Sequence, residues 1–187
     1  KDILIIVNKG QVEQFKKVLP NGKNLGIKIT YAEQEKPKGL PDAFIVGEKF
    51  IADSSVALIL GDNFFFGQSL TRKLIECTRL KKGAKVFLYP VKNPHLYGVA
   101  TINQQKKIVD VVEKPKITKS NLAITGLYFF DNNVIKLSKS LKPSKRKEVE
   151  IIDLLKKYKS KSLLSAEVIG RGGAWLDTGS IKDFNDT

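Results

Sequence analysis

The stretch Val56-Ala57-Leu58-Ile59-Leu60-Gly61-Asp62-Asn63 decides the fold. Its opening apolar run is short, and such a run before a turn residue predicts a β-strand. A glycine and two polar side chains follow the run directly. Because open α/β sheets bind ligands outside the carboxyl ends of their strands, Asp62 and Asn63 stand where a binding site is expected.

Short β-branched runs alternate with helical patterns on both sides of this strand, which is typical of βαβ units around a mostly parallel sheet. The chain has 187 residues, 42% of them hydrophobic, and we expect one α/β domain over residues 1–187. Further strands are predicted at 3–7, 27–31, 86–91, 99–102, 108–112, 123–130 and 163–169, and those at 99–102, 108–112 and 123–130 are expected to form a more mixed section, so that the sheet as a whole is mostly parallel but mixed. Helices are predicted at 11–19, 40–51, 70–80, 134–140 and 148–158.

The composition argues against export and membrane insertion. The apolar runs are far shorter than the roughly 20 residues that a membrane-spanning helix needs, and no leader with a cleavage site opens the chain. The single cysteine, Cys77, cannot form an internal disulfide, which fits a reducing compartment. We therefore expect a cytoplasmic protein with no membrane partner.

The formal charge of +14 raises the question of nucleic-acid binding. Only four of the 33 basic residues are arginines, and the lysines are spread along the whole chain rather than gathered on one arm or stripe. No aromatic platform, zinc finger or helix-turn-helix pattern accompanies them. We expect no nucleic-acid partner, and we interpret the charge as a solvated surface.

Two aspartates, Asp62 and Asp177, each follow a strand and stand close to a glycine. Two carboxylates are what Mg²⁺ needs from a protein when substrate phosphate and water fill its other positions. The alternative is that each aspartate only forms a turn. Spacing in the sequence does not decide between the two interpretations.

Two further segments offer ligand contacts. The carboxylate of Glu113 suits sugar hydroxyls and the adjacent Lys114 suits a phosphate, although the pair could also be a surface ion pair before a proline turn. Tyr97, next to Gly98, could stack on a ligand or pack at a strand start.

The loop from Gln34 to Gly39 carries an amide that can read the edge of a base through its paired donor and acceptor. Taken alone, this loop could equally be an ordinary turn. The one histidine, His95, lies in a polar loop, and no nucleophile-elbow or P-loop spacing is present.

The order and spacing of several segments together resemble the bacterial glucose-1-phosphate thymidylyltransferases, a branch of the sugar nucleotidyltransferases, over essentially the whole chain. The segments that carry the resemblance are Tyr31-Ala32-Glu33-Gln34, Gly39-Leu40, Leu60-Gly61-Asp62-Asn63, Tyr97-Gly98-Val99, Glu113-Lys114-Pro115, Thr125-Gly126-Leu127-Tyr128-Phe129, Leu141-Lys142-Pro143-Ser144 and Ala174-Trp175-Leu176-Asp177-Thr178-Gly179.

The resemblance implies a Rossmann-like enzyme that joins dTTP and glucose 1-phosphate into dTDP-glucose and pyrophosphate, for dTDP-rhamnose and polysaccharide biosynthesis. It implies Mg²⁺ as cofactor, held by Asp62 and Asp177, and a phosphate-binding lysine at Lys114. Gln34 and Gly39 match thymine-recognition positions. The positions that match the glucose pocket are Asn63, Tyr97, Gly98, Glu113, Ile124 and Trp175.

Family members begin with a strand and a glycine-rich loop that grip the triphosphate, and no segment here matches that loop. Its place would be before Lys1, so we expect a partial core with impaired turnover. A related uridylyltransferase that uses UTP and a noncatalytic nucleotide-sugar binding module remain as alternatives. The family usually forms homo-oligomers, often tetramers, and we expect the same of the parent protein.

Overall fold

The computed structural model describes residues 2–144 and 147–179. They fall into two compact units: unit one contains the described residues of 1–53 and 134–154, and unit two contains those of 54–133 and 155–187. The single domain over residues 1–187 stays a prediction. In the part of the chain that is described, no helix is long and apolar enough to cross a membrane.

Every strand and helix predicted from the sequence has a counterpart in the structure. The strands are β1 (Asp2–Asn8), β2 (Lys28–Gln34), β3 (Val56–Ile59), β4 (Asn63–Gly67), β5 (Ala84–Pro90), β6 (Gly98–Ile102), β7 (Ile108–Glu113), β8 (Leu122–Phe130), β9 (Leu164–Val168) and β10 (Gly173–Asp177). The helices are α1 (Val12–Val18), α2 (Asp42–Val46), α3 (Glu48–Ile51), α4 (Leu70–Cys77), α5 (Asn133–Lys139) and α6 (Ile151–Lys159).

Unit one contains a parallel βαβ arrangement. β1 pairs with β2 in register from Asp2↔Lys28 to Asn8↔Gln34, and α1 lies between the two strands in sequence. The single helix predicted at 40–51 is instead two short helices, α2 and α3. Gly47 separates them because its backbone ψ of 6° departs from the helical value.

Unit two is built around β8, the longest strand. β5 pairs along one edge of β8, while β6 and β3 share the other edge, with Val99 opposite Ala123 and Val56 opposite Phe130. β7 extends the sheet beyond β6, and β9 extends it beyond β5. Of the described pairings in this sheet, only that of β9 with β5 is parallel, and the others are antiparallel.

The α/β class with a mixed sheet is thus confirmed, but the expectation of a mostly parallel sheet is wrong for unit two. The alternation of strand and helix does place β3 and β5 in the same direction. β8 then lies between them and runs opposite to both. The short connection from β6 to β7 can only join antiparallel neighbours, and β8 pairs antiparallel with the other edge of β6.

Strands β4 and β10 were not predicted. They form a two-stranded antiparallel ribbon in unit two, from Gly173↔Gly67 to Asp177↔Asn63. The sequence Gly61-Asp62-Asn63 was interpreted as the end of a strand, whereas the chain turns there and immediately starts a new one. On β4, Phe65 faces inward and Phe64 and Phe66 are exposed, which is the period of two that a strand requires.

The core of unit two lies under this ribbon and one face of β8. One buried cluster of this core contains Cys77, Phe87, Ala123, Leu127, Phe129, Ile169 and Trp175. A second buried feature of unit two is polar: Asp131 accepts hydrogen bonds from the Tyr158 hydroxyl (2.8 Å) and from the Gly83 amide (2.7 Å). These bonds tie the end of β8 to α6 and to the start of β5.

Candidate active site

The structure brings Asp62 and Asp177 together in unit two. Asp177 ends β10 opposite Asn63, and the Thr178 amide and hydroxyl each donate a 2.9 Å hydrogen bond to the Asp62 carbonyl. One oxygen of each carboxylate, Asp62 Oδ2 and Asp177 Oδ1, lies 3.1 Å from the position that a Cβ would take on Gly179. The two side chains therefore face one small space.

This pair of carboxylates fits Mg²⁺. That ion keeps several waters and is usually held by one or two protein carboxylates together with substrate phosphates. No group of three or more histidine, cysteine or acidic side chains converges within the described residues. Two carboxylates that face one space are a donor set of this kind.

The amide of Asn63 links three strands of unit two. Its Oδ1 accepts hydrogen bonds from the Gly126 backbone N–H (2.9 Å) and from the Trp175 indole N–H (2.6 Å), and its Nδ2 donates to Asp62 Oδ1 (2.8 Å). Both groups that meet Oδ1 can only donate, so the orientation of the amide is fixed. Asn63 thus hydrogen-bonds to Oδ1 of Asp62, and Oδ2 is the Asp62 oxygen that faces the space shared with Asp177.

Trp175 packs within the core rather than at the surface. Its side chain is buried, with the Tyr97 ring at 5.3 Å and the Tyr89 ring at 6.0 Å between centroids, both edge-on. Edge-to-face contacts of this kind add to the stability that burial provides. Trp175 therefore connects the predicted sugar residue Tyr97 to the Asn63 amide.

The pairing of β6 with β7 collects four predicted site residues. Gly98 lies opposite Glu113, and the Lys114 amide donates a 3.0 Å hydrogen bond to the Tyr97 carbonyl. Lys114 is exposed and has a positive backbone φ of 40°, a conformation that is uncommon outside glycine. Both segments that the sequence offered for sugar and phosphate contacts thus meet at one end of this strand pair.

Ile124 and Tyr128 are buried residues of β8 and stand opposite Leu88 and Val86 of β5, so their side chains lie on one face of the sheet. Burial, with a smaller contribution from the carboxylates of Glu113 and Asp177, raises the pKa of the Tyr128 hydroxyl. Tyr128 was not among the predicted site residues. The signal that could have found it is its place in the segment Thr125-Gly126-Leu127-Tyr128-Phe129, which carries the family resemblance.

The two predicted base-recognition residues lie in unit one. Gln34 ends β2, and its Nε2 donates a 2.6 Å hydrogen bond to Asp42 Oδ2 at the start of α2. Gly39 has a φ of +101°, and a Cβ there would lie 2.0 Å from the Val149 carbonyl oxygen. Only glycine fits this position, because any side chain would collide with that backbone.

A cavity of about 120 Å³ in unit two lies elsewhere, among Phe66, Leu70, Lys73, Ile169 and other residues. The Lys73 ammonium on its wall pairs with Glu167 at 2.5 Å and donates to the Val168 carbonyl at 3.1 Å. None of the predicted site residues lines this cavity.

The sequence model of the nucleotidyl transferase family matches residues 1–187. The chain belongs to the nucleotidyl transferase family. Among curated relatives, this nucleotidyl transferase chain is 46% identical to the glucose-1-phosphate thymidylyltransferase of Neisseria meningitidis and 42% identical to that of Mycolicibacterium smegmatis. Both alignments cover all of the chain and, respectively, 65% and 64% of the relative. The chain thus spans about two thirds of the length of these nucleotidyl transferases.

Solved structures agree with the family assignment. One crystal structure, from Bacillus anthracis, is assigned as a glucose-1-phosphate thymidylyltransferase and holds a sucrose. It matches this nucleotidyl transferase with a TM-score of 0.88 and 35% identity, and the match covers 98% of the chain and 73% of the crystal structure's own chain. A UDP-glucose pyrophosphorylase bound to UDP-glucose matches with a TM-score of 0.82 at 22% identity, over 100% of the chain and 78% of its own. The second match shows the fold alone. Together they confirm the Rossmann-like nucleotidyltransferase fold.

Proposed function

We propose that the protein carrying this chain is a glucose-1-phosphate thymidylyltransferase, which forms dTDP-glucose and pyrophosphate from dTTP and glucose 1-phosphate. The observation that carries the proposal is the convergence of Asp62 and Asp177 on one small space beside Gly179. Relatives of that name at 46% and 42% identity support the choice of substrates.

Asp62 and Asp177 would hold Mg²⁺. Bound there, the ion supplies positive charge that neutralises the phosphate oxygens. The Asn63 amide occupies Asp62 Oδ1, so that Asp62 Oδ2 is the oxygen presented toward Asp177. The Gly179 backbone N–H donates a 3.1 Å hydrogen bond to Asp177 Oδ1, so both carboxylates are oriented by the chain itself, which lowers the reorganisation needed for reaction.

Lys114 would hold the phosphate of glucose 1-phosphate, and Glu113 would accept hydrogen bonds from sugar hydroxyls. In the reaction a phosphate oxygen of the sugar phosphate bonds to the α-phosphorus of dTTP while the bond to pyrophosphate breaks. That oxygen is already anionic, so no side chain needs to act as nucleophile. Catalysis would then consist of positioning and charge neutralisation.

The remaining residues divide between sugar and base. Tyr97, Gly98 and Ile124 would line the glucose pocket together with Glu113. Asn63 and Trp175 would support that pocket, since the Asn63 amide and the Trp175 indole N–H already hydrogen-bond to the protein. In unit one, Gln34 and Gly39 would form the thymine site.

Three further elements of the proposal come from the resemblance: a cytoplasmic location, assembly of the parent protein as a homo-oligomer such as a tetramer, and a place in dTDP-rhamnose and polysaccharide biosynthesis.

The test is the reverse reaction. The protein is incubated with dTDP-glucose, pyrophosphate and Mg²⁺, and dTTP is quantified, with UDP-glucose in parallel. We expect dTTP above a no-protein control, and loss of that activity in the double variant Asp62→Asn/Asp177→Asn. Asp110→Asn is the matched control, because Asp110 lies on β7 in the same unit and pairs with Lys159 at 3.1 Å.

Each other result has a definite meaning. Faster formation of UTP than of dTTP would replace the proposal by a uridylyltransferase. Saturable binding of dTDP-glucose without either product would indicate a noncatalytic binding module. Unchanged dTTP formation in the double variant would remove Asp62 and Asp177 from the mechanism.

A further inference from the structure

Unit one contains a polar contact that the sequence did not point to. The Gln34 Nε2 atom donates a 2.6 Å hydrogen bond to Asp42 Oδ2, and both side chains are partly buried. Gln34 is the last residue of β2 and Asp42 the first of α2, so the contact closes the loop between them.

The contact fixes which way the Gln34 amide points. A carboxylate only accepts hydrogen bonds, so the amide nitrogen must face Asp42 and the amide oxygen must point elsewhere. Hydrogen bonds to a charged acceptor are stronger than neutral ones, and turning the amide over would break this one. The second N–H and the Oε1 of Gln34 lie outside this hydrogen bond, and their two positions cannot be exchanged while the bond is kept.

The backbone around Asp42 is itself held in place. The Asp42 amide donates to the Gly39 carbonyl (3.1 Å), and the Val149 amide donates to the Lys38 carbonyl (2.8 Å). Gly39 lies so close to Val149 that no side chain fits between them. The backbone that carries the Asp42 side chain is thus held by contacts within unit one.

We infer that Asp42 is a specificity-determining residue that makes Gln34 select thymine and uracil over cytosine. The inference rests on the proposed function, in which Gln34 recognises the base. Thymine and uracil present a carbonyl oxygen beside an N3–H, whereas cytosine presents an amino group beside an unprotonated N3. The positions of the hydrogen-bond donor and acceptor on thymine and uracil are therefore the reverse of those on cytosine. An amide that can turn over pairs with either edge, whereas an amide held by Asp42 pairs with one.

The test compares three nucleotides that differ only in the base: dTTP, dUTP and dCTP. Their affinities are measured by titration calorimetry with Mg²⁺ for the unaltered protein and for Asp42→Asn and Asp42→Ala. An asparagine can accept from or donate to Gln34, so Asp42→Asn permits both orientations while conserving size. Asp53→Asn is the charge-matched control, because Asp53 is an exposed aspartate of the same unit outside this contact.

We expect the preference for dTTP over dCTP to fall about tenfold in both Asp42 variants, the effect of losing one charge-assisted hydrogen bond. The ratio of dTTP to dUTP affinity should stay unchanged, because the amide does not contact the methyl group that separates these bases. Asp53→Asn should leave both ratios as they are.

A purely structural role for Asp42 predicts another pattern, in which all three affinities fall by the same factor. That result, or an unchanged preference for dTTP over dCTP in both variants, would overturn the inference while the proposed function stands. If the unaltered protein does not prefer dTTP to dCTP, the assignment of Gln34 to the base fails, and this inference fails with it.

Discussion

The indole nitrogen of Trp175 donates a 2.6 Å hydrogen bond to Asn63 Oδ1, which also accepts from the Gly126 amide. Replacement of Asn63 by alanine leaves both buried donors without an acceptor. An unsatisfied buried donor costs roughly 1–3 kcal/mol, so we expect Asn63→Ala to lower the free energy of unfolding by about 3 kcal/mol. Urea unfolding followed by circular dichroism measures the loss.

Asn103 provides the comparison for that substitution. Its Oδ1 also accepts two backbone hydrogen bonds, from Gln105 at 3.0 Å and from Lys107 at 2.9 Å, but the turn that carries it is exposed. Water can satisfy those donors after Asn103→Ala, so the loss should stay near 1 kcal/mol. Equal losses for the two variants would show that burial of the Asn63 contacts has no energetic consequence.

Gly126→Ala tests the close approach of β8 to the same amide. A Cβ on Gly126 would lie 2.5 Å from Asn63 Oδ1 and 2.8 Å from Leu60 Cδ1, and Asn63 cannot move without breaking its other hydrogen bonds. Overpacking of this kind costs about 1–3 kcal/mol, and we expect a loss in that range in urea unfolding. Gly170→Ala should be tolerated, because nothing lies within 4 Å of its Cβ position. Equal stability of the two alanine variants would contradict the assigned crowding.

Mg²⁺ binding tests the carboxylate pair independently of turnover. Asp62→Asn and Asp177→Asn each remove one of the two charges that face the space beside Gly179. We expect the apparent affinity for Mg²⁺ in the presence of dTDP-glucose to fall about tenfold or more for each, by titration calorimetry. Affinities within twofold of the unaltered protein would exclude these residues as the ligands.

The local pattern of the sequence was sufficient for most of the strands and helices, though not for β4 and β10, and it did not report which strands pair. The run at 56–60 could be recognised as a strand because it is apolar, short and followed by glycine. The hydrogen bond between Asn63 and Trp175 joins residues separated by 112 positions, and no periodicity reports on such a contact. The direction of β8 is likewise set by its neighbours in space, which is why the predicted mostly parallel sheet was wrong.

In the candidate site, too, the sequence indicated residues but not the contacts that they make. Asp62 and Asp177 could be proposed from residue type and position after strands, and the structure places them together. The reason for glycine at position 39, a backbone collision with Val149, depends on a segment far along the chain. Asp42 looked like an ordinary acidic residue in a first helical turn, and only its contact with Gln34 indicates another role.

Stability should decline at alkaline pH because of Tyr158. Burial, with the hydrogen bond to Asp131, raises the pKa of this hydroxyl above its ordinary value of 10.0. A pKa that is raised on folding contributes stability that is complete below pH 10.0 and is lost as the pH rises beyond it. The urea concentration at the unfolding midpoint should therefore decrease as the pH rises above 10.0.

Tyr158→Phe should make this alkaline decline less steep, because the variant has no hydroxyl to ionise there. At neutral pH the same variant should lose about 1 kcal/mol, since Asp131 Oδ1 loses its 2.8 Å hydrogen bond from Tyr158. Identical pH dependence in the variant and the unaltered protein would show that another group causes the decline.

Lys114 combines a functional charge with an unfavourable backbone, and two substitutions separate these effects. Its φ of 40° crowds the Cβ of any residue except glycine, at a cost of roughly 1 kcal/mol. Lys114→Gly and Lys114→Ala both remove the ammonium group, so each should weaken glucose 1-phosphate binding about tenfold in calorimetry. In urea unfolding, however, the glycine variant should be about 1 kcal/mol more stable than the alanine variant. If the alanine variant is the more stable one, the positive φ is not a strained conformation. If both variants bind glucose 1-phosphate as the unaltered protein does, Lys114 does not hold the sugar phosphate.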